Sequence, residues 1–293
     1  MPPAYAHNPL TLLHIASYLR QRGIRPVEIF QRAGVSPSML GQNNWLPRDL
    51  CFALSEQASA IAGEPFFGSR IGQLFRLADL GAWGHAIVAA PNVGQACAAA
   101  ASGIGLLHQG TELRFLTFRR HAELRLVYRG KLGANPQQHL IGTLAVLRKI
   151  ALLAGTSDAI GVRFSMRYAR GVDALEETHG PTLEFGCEYD AIVIDREILS
   201  RPLPDLNDSA NSAKPAETAA AISALVKRLL PYRHITIEAI AAQQRLSVRT
   251  LQRRLREWGF SFEEIVDDVR NPTLRVRSIA GPVCRHKRTL ALI

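Results

Sequence analysis

Apolar positions follow helical spacing toward both ends of the chain and alternate in the middle. In residues 9–62, Leu12, Leu13, Ile15, Ala16 and Leu19 form one stripe that Gly23 ends. Pro26 opens a short helix through Ala33, Gly34 closes it, and residues 49–62 predict another. The period then drops to two. Leu113 and Phe115 in TELRFLTF, and Ala122, Leu124, Leu126 and Tyr128 in AELRLVYRG, alternate with polar residues. The polar Arg119-Arg120-His121 between them predicts a hairpin. Helical spacing returns over residues 137–154. IGVRFSMRY then alternates cleanly and predicts a half-buried strand over 160–168, and EYDAIVIDREIL predicts one more. This mixture is α+β, an antiparallel or mixed sheet with packed helices.

In RPLPDLNDSANSAKPAE, residues 201–217, the periodicity stops and Pro, Asn, Asp and Ser dominate, as in a linker. TAAAISALVKRLLP predicts a helix that ends before Pro231. Residues 235–259, ITIEAIAAQQRLSVRTLQRRLREWG, then carry the pattern of a helix-turn-helix. Ile237, Ile240 and Ala241 define the buried face of a first helix, and the chain turns at Arg245-Leu246. Ser247 stands at the N-cap of a second helix, whose Leu251 and Leu255 face the first. Arg249, Gln252, Arg253 and Arg256 fall on the opposite side, where guanidinium and amide groups suit guanine and adenine edges in the major groove. An arginine-rich amphipathic helix alone is as often plain solvated surface. The ordered set of helix, short turn, Ser cap and basic second helix favours DNA reading. FSFEEIVDDVR continues helically, with Phe262, Ile265, Val266 and Val269 as its buried side.

Charge modifies this picture. The chain of 293 residues is 47% apolar and 20% charged, ordinary for a globular protein with room for two domains. Its net charge of +10 favours a polyanionic partner. Yet Arg275, Arg277, Arg285, Lys287 and Arg288, with no acid among residues 271–293, supply +5 of that total outside the helix-turn-helix. Cys51, Cys97, Cys187 and Cys284 are scattered and form no CxxC pair, which suits reduced thiols rather than a zinc site. The nine histidines show neither HxxxH nor HExxH spacing, so no metal site is expected, and no cofactor is implied. No signal peptide and no run of about 20 apolar residues is present, so the expected location is the cytoplasm, with no membrane partner.

The segment ITIEAIAAQQRLSVRTLQRRLREWGFSFEEIVDDVR closely resembles the first helix-turn-helix of AraC/XylS-type transcription regulators. GIRPVEIFQRAGVSPSML, LADLGAWGHAIVAAPNVGQAC and LEFGCEYDAIVIDREILSRPLP, in that order, resemble the arabinose-binding-type sensor domain of one branch of that family. The resemblance covers about residues 9–270. It implies an α+β sensor domain followed by an all-α helix-turn-helix domain. The expected division is a ligand-sensing and dimerisation domain at 1–200, a linker at 201–217, a partial DNA-binding domain at 218–270 and a basic tail at 271–293. By position, Arg249, Gln252 and Arg253 match the residues that meet base edges in the family, while Thr250 and Arg256 match positions nearer phosphate. With the Ser247 cap these form the candidate DNA-binding set. Arg254 points off that face. The resemblance further implies an unidentified small-molecule effector and a homodimer.

The family's DNA domain carries two helix-turn-helices, and here the pattern stops at Arg270. Asn271-Pro272 disfavours helix continuation, and residues 271–293 do not carry the second motif. The expectation is a truncated or frameshifted reader with weakened DNA binding. The competing reading is a sensor that binds ligand or dimerises without binding DNA by itself. An enzyme has little support: Cys187 beside His179 reads better as a buried thiol next to a surface-turn histidine than as a nucleophile and its base. Gly103-Ile104-Gly105 lacks the strand and third glycine of a dinucleotide loop. The acids Glu176, Glu177, Glu188 and Asp190 read as a solvated loop. GIRPVEIFQRAGVSPSML reads as scaffold, not as a second reading motif. Trp83, His85 and Arg114 are possible pocket liners, with core or surface roles equally open.

Overall fold

The computed structural model describes residues 5–36, 39–40, 45–154, 158–167, 171–204, 222, 226, 235–244, 246–257 and 259–270. The greater part of the expected linker, the helix expected at 218–230 apart from Ile222 and Val226, Arg245 and the tail at 271–293 lie outside these residues.

The chain opens with a short strand, β1 (Ala6–His7), paired antiparallel with β2 (Leu46–Pro47). Between them lie α1 (Ile15–Gln21) and α2 (Pro26–Arg32), followed by α3 (Arg48–Ala62), α4 (Phe67–Leu74), α5 (Gly81–Val88) and α6 (Val93–Gly103). The hairpin is present as β3 (Thr111–Thr117) and β4 (His121–Tyr128), with Leu113 opposite Leu126 and Phe115 opposite Leu124. Next come α7 (Gln137–Leu152), β5 (Ile160–Arg163), α8 (Asp173–His179), β6 (Leu183–Glu184) and β7 (Asp190–Asp195). The five longer-range strands form one sheet in the order β3-β4-β7-β5-β6. It is antiparallel except where β5 runs parallel to β6. The sheet is therefore mixed, and the unit is α+β.

The strand expected over 160–168 is shorter than its alternation suggests. It leaves the ladder after Arg163, because the Asp190 carboxylate captures the Ser165 backbone N–H at 2.8 Å and its hydroxyl at 2.7 Å. Phe164 remains buried and its N–H still reaches the Glu184 carbonyl at 2.8 Å, so the period of two continues in burial just past the strand.

The two sheet faces follow the alternation. Leu124, Ile192, Ile194, Ile160 and Val162 are buried on the face that α6 and α7 cover. On the other face the Glu123 carboxylate is closed over by Arg125 at 2.5 Å, His121 at 3.0 Å and Arg163. α4 and α7 pack backbone to backbone: a Cβ on Gly68 would stand 1.8 Å from the Gln138 carbonyl, and one on Gly72 would stand 2.4 Å from that of Gly142. The body extends to Leu203, whose N–H bonds the Pro91 carbonyl at 3.2 Å, while Pro202 bridges Asn92.

Among the described residues the chain continues with α9 (Ile237–Gln243), α10 (Val248–Glu257) and α11 (Phe262–Arg270). Their apolar residues join the same buried cluster as α1 and α2. Phe260 packs edge-on against Phe30 with ring centroids 5.6 Å apart. Arg20 of α1 bonds the Gly259 carbonyl oxygen and pairs with Glu264 at 2.7 Å.

Candidate functional site

Each turn of the helix-turn-helix is fixed by local chemistry. Thr236 caps α9 by accepting the Ala239 N–H at 3.3 Å. Ile240 and Ala241 are buried, and Ile237 is half-buried. The Ser247 hydroxyl oxygen accepts the Thr250 N–H at 3.1 Å and lies 2.8 Å from the Thr250 hydroxyl, so Ser247 is the N-cap of α10. Leu251 and Leu255 are fully buried toward α9.

Gly259, at φ +73°, ends α10. Its N–H reaches the Arg256 carbonyl at 2.9 Å and that of Phe260 reaches the Leu255 carbonyl at 3.0 Å, the paired bonds of a left-handed C-terminal stop. Ser261 then opens α11 with a reciprocal capping box. Glu264 accepts the Ser261 N–H at 2.7 Å, and the Ser261 hydroxyl accepts the Glu264 N–H at 3.2 Å.

Arg249, Gln252, Arg253 and Arg256 are exposed on one side of α10, with Thr250 half-buried beside them. Arg256 is held along the helix by its Nε, 3.3 Å from the Gln252 carbonyl. Arg254 is half-buried, off this face. Docking against α1 and α2 uses Gly259, Phe260 and Glu264, residues outside the exposed row of α10.

A second site lies inside the α+β unit. An apolar cavity is walled by Ile71, Phe75, Trp83 and Val146, with Thr11, Ser55, Thr143, His108 and His139 supplying its polar edge. Of the three liners named from sequence, only Trp83 reaches it. The Trp83 indole N–H is already committed to the Ala100 carbonyl at 2.9 Å, so this residue presents ring surface. His85 is exposed, and Arg114 is exposed and paired with Glu112 at 2.7 Å.

Two histidines of the polar edge, His108 and His139, stand with His7 in a buried cluster. Burial drives the imidazoles of His7 and His108 well below their usual titration range and brings that of His139 to about 4. All three are neutral at pH 7. Positions 7, 108 and 139 are too far apart in sequence for any spacing rule to join them.

The Cys187–His179 pair is corrected as well. His179 is the fully buried member, edge-on to Phe164, while Cys187 is half-buried. Burial and then Arg148 lower the His179 pKa to about 3, and no hydrogen bond joins the two side chains among the described residues. The acidic loop also differs in part from its expected role: Asp190 is a buried cap for Ser165, and Glu177 pairs with Arg70 at 2.5 Å.

No helix among the described residues is long and apolar enough to cross a membrane. The ornithine utilization regulator of Pseudomonas aeruginosa is 28% identical over 285 residues, covering 92% of this chain and 82% of that protein. The HTH-type transcriptional regulator VirS of Mycobacterium tuberculosis is 31% identical over 133 residues, 41% of this chain and 39% of that protein. The crystal structure of the transcriptional regulator CdpR from Pseudomonas aeruginosa aligns with a TM-score of 0.45 at 20% identity, over 86% of this chain and 84% of that one. Residues 23–203 match the family described as the arabinose-binding domain of AraC transcription regulator, N-term. The chain thus belongs to the AraC-type transcription regulators that carry this N-terminal domain.

Proposed function

We propose that this chain works as a one-component regulator, in which the unit up to about residue 200 takes a small effector and α9–α11 hold α10 against promoter DNA. The observation that carries this reading is the exposed row Arg249, Gln252, Arg253 and Arg256 on a helix capped by Ser247 and anchored by Leu251 and Leu255. Bidentate contacts from Arg249 or Arg253 to guanine and from Gln252 to adenine each discriminate by about 1–3 kcal/mol. Thr250 and Arg256 serve the phosphates. Phosphate contacts of this kind make binding weaken as salt rises. Pairing of two chains supplies a second half-site one helical turn, about 34 Å, away.

The cavity supports a compact, mainly apolar effector with one polar group at the histidine edge. A sugar would leave most of its hydroxyls unpaired against Ile71, Phe75 and Trp83. Ornithine, named for one relative, would bring ammonium groups to a lining that holds no acid.

The test is fluorescence anisotropy on DNA from upstream of the protein's own gene and on a scrambled duplex, at two salt concentrations. The reading requires tighter binding to the upstream DNA and loss of that preference in Arg249→Ala/Arg253→Ala. Equal affinity for both duplexes would support the sensor that does not read DNA. Val146→Phe, which fills the cavity, should abolish any effector response and leave basal DNA binding intact.

A further inference from the structure

His7 and His108 are antiparallel bridge partners, held in register by Asn8 N–H to the Leu107 carbonyl at 2.7 Å and Gln109 N–H to the Ala6 carbonyl at 2.8 Å. Residues opposed in this way put their side chains on one face. His139, in the first turn of α7, meets them from across the core, with ring centroids 4.8 Å from His7 and 4.9 Å from His108. One ring nitrogen from each of the three lies within 4.8 Å of the others. Both nitrogens of His7 and both of His108 are buried without a hydrogen-bond partner. Buried polar atoms are ordinarily paired, and two unpaired imidazoles beside a third call for a ligand.

His139 differs in a telling way. Its Nδ1 lies 3.1 Å from the Tyr128 hydroxyl and 3.5 Å from that of Thr143. With Nδ1–H donated to the Tyr128 oxygen, Nε2 keeps its lone pair. This is the outer-shell arrangement that orients metal-bound histidines.

We propose that His7, His108 and His139 form a binding site for a single transition-metal dication of the zinc, cobalt, nickel or copper class. Three imidazoles and no carboxylate suit these borderline ions and not magnesium or calcium. Binding requires the rings of His7 and His108, now stacked at 4.3 Å and 20°, to turn until both lone pairs meet one point. The χ2 torsion that turns them is soft. His108 and His139 also border the cavity, so the remaining coordination position faces it, as in sites that keep one position open for an exogenous ligand. The metal site stands independently of any DNA binding, and its test uses none.

The untagged full chain, stripped with chelator, is titrated with Co²⁺ and then Zn²⁺. The expected result is one equivalent of Co²⁺ per chain with the visible absorption of a low-coordinate site, displaced by Zn²⁺, and a Tm raised by Zn²⁺. His7→Ala/His108→Ala, shown folded by circular dichroism, should lose this binding, and His139→Gln should weaken it at least tenfold. His85→Ala, outside the cluster, should bind as wild type. Binding of no equivalent by the wild type, or wild-type binding by the folded double variant, overturns the site. If the double variant does not fold, X-ray absorption on the cobalt-loaded wild type decides: imidazole scattering supports the site and its absence overturns it.

Discussion

The Arg20 guanidinium closes on the Gly259 carbonyl oxygen from two nitrogens, Nε at 3.0 Å and Nη2 at 2.5 Å. The same Nη2 reaches Glu264 at 2.7 Å. A residue of the first helix therefore holds both the turn that ends the reading helix and the capping box that begins the next. Arg20→Ala should cost about 1 kcal/mol, since its side chain is 37% exposed and solvent weakens the pair. Hydrogen exchange at residues 259–266 should accelerate while exchange in β4 and β7 stays unchanged. Equal protection of residues 259–266 in both proteins would show that the clamp carries no energy.

Gly259→Ala should be worse than a typical left-handed glycine substitution. Gly63 has a similar φ of +66° with nothing within 4 Å of an added Cβ, so Gly63→Ala carries only backbone strain, about 1–2 kcal/mol. At Gly259 the added Cβ would stand 2.4 Å from the Ala16 carbonyl carbon, which adds about 1–3 kcal/mol of overpacking. Denaturant unfolding of the two variants measures the difference. Equal losses would place the interface elsewhere.

Single alanine substitutions on α10 should separate two kinds of contact. Arg249→Ala, Gln252→Ala and Arg253→Ala should each relax selectivity at one base pair by about 1–3 kcal/mol. Arg256→Ala should weaken binding to all sequences and reduce the salt slope by about one. Thermal stability should hardly change, because these side chains are exposed. Binding selections on randomised duplexes distinguish the two outcomes.

Acid should destabilise the fold through its buried histidines. The folded pKa of His179 is about 3 and that of His14 about 4, both lowered chiefly by burial from an ordinary 6.5. Only the unfolded chain takes up these protons between those values. Stability is therefore fully present above pH ~6.5 and is lost as pH falls toward 3–4, by at most ~1.4 kcal/mol per pH unit for each histidine. His179→Leu should flatten urea-unfolding stability between pH 6.5 and 4 by about one proton's slope. An unchanged slope would mean that His179 titrates normally.

Much of the fold was legible because each local signal agreed with burial. The hairpin around Arg119-Arg120-His121, the 137–154 helix and the Ser247 cap all follow from periodicity and capping chemistry. The early exit of β5 was not legible, since Asp190 overrides an alternation that continues through Phe164. Nor was the histidine cluster, which needs a bridge between residues 7 and 108 and a helix from residue 137 onward to assemble. Long-range pairing carries no local mark. Of the residues whose role the sequence left open, Trp83 lines the cavity, while His85, two residues along the same helix, faces solvent.

The Gly259 turn has a consequence for building chimaeras. Grafting residues 235–270 onto a foreign sensor would transfer the helix stop intact, because its bonds to Arg256 and Leu255 travel with the graft. The socket made by Ala16, Arg20 and Phe30 would stay behind. Such a hybrid would keep its helix stop yet lose the coupling of α10 to α1 and α2. Restoring that coupling is a matter of re-engineering the host's first two helices and not the transplanted motif.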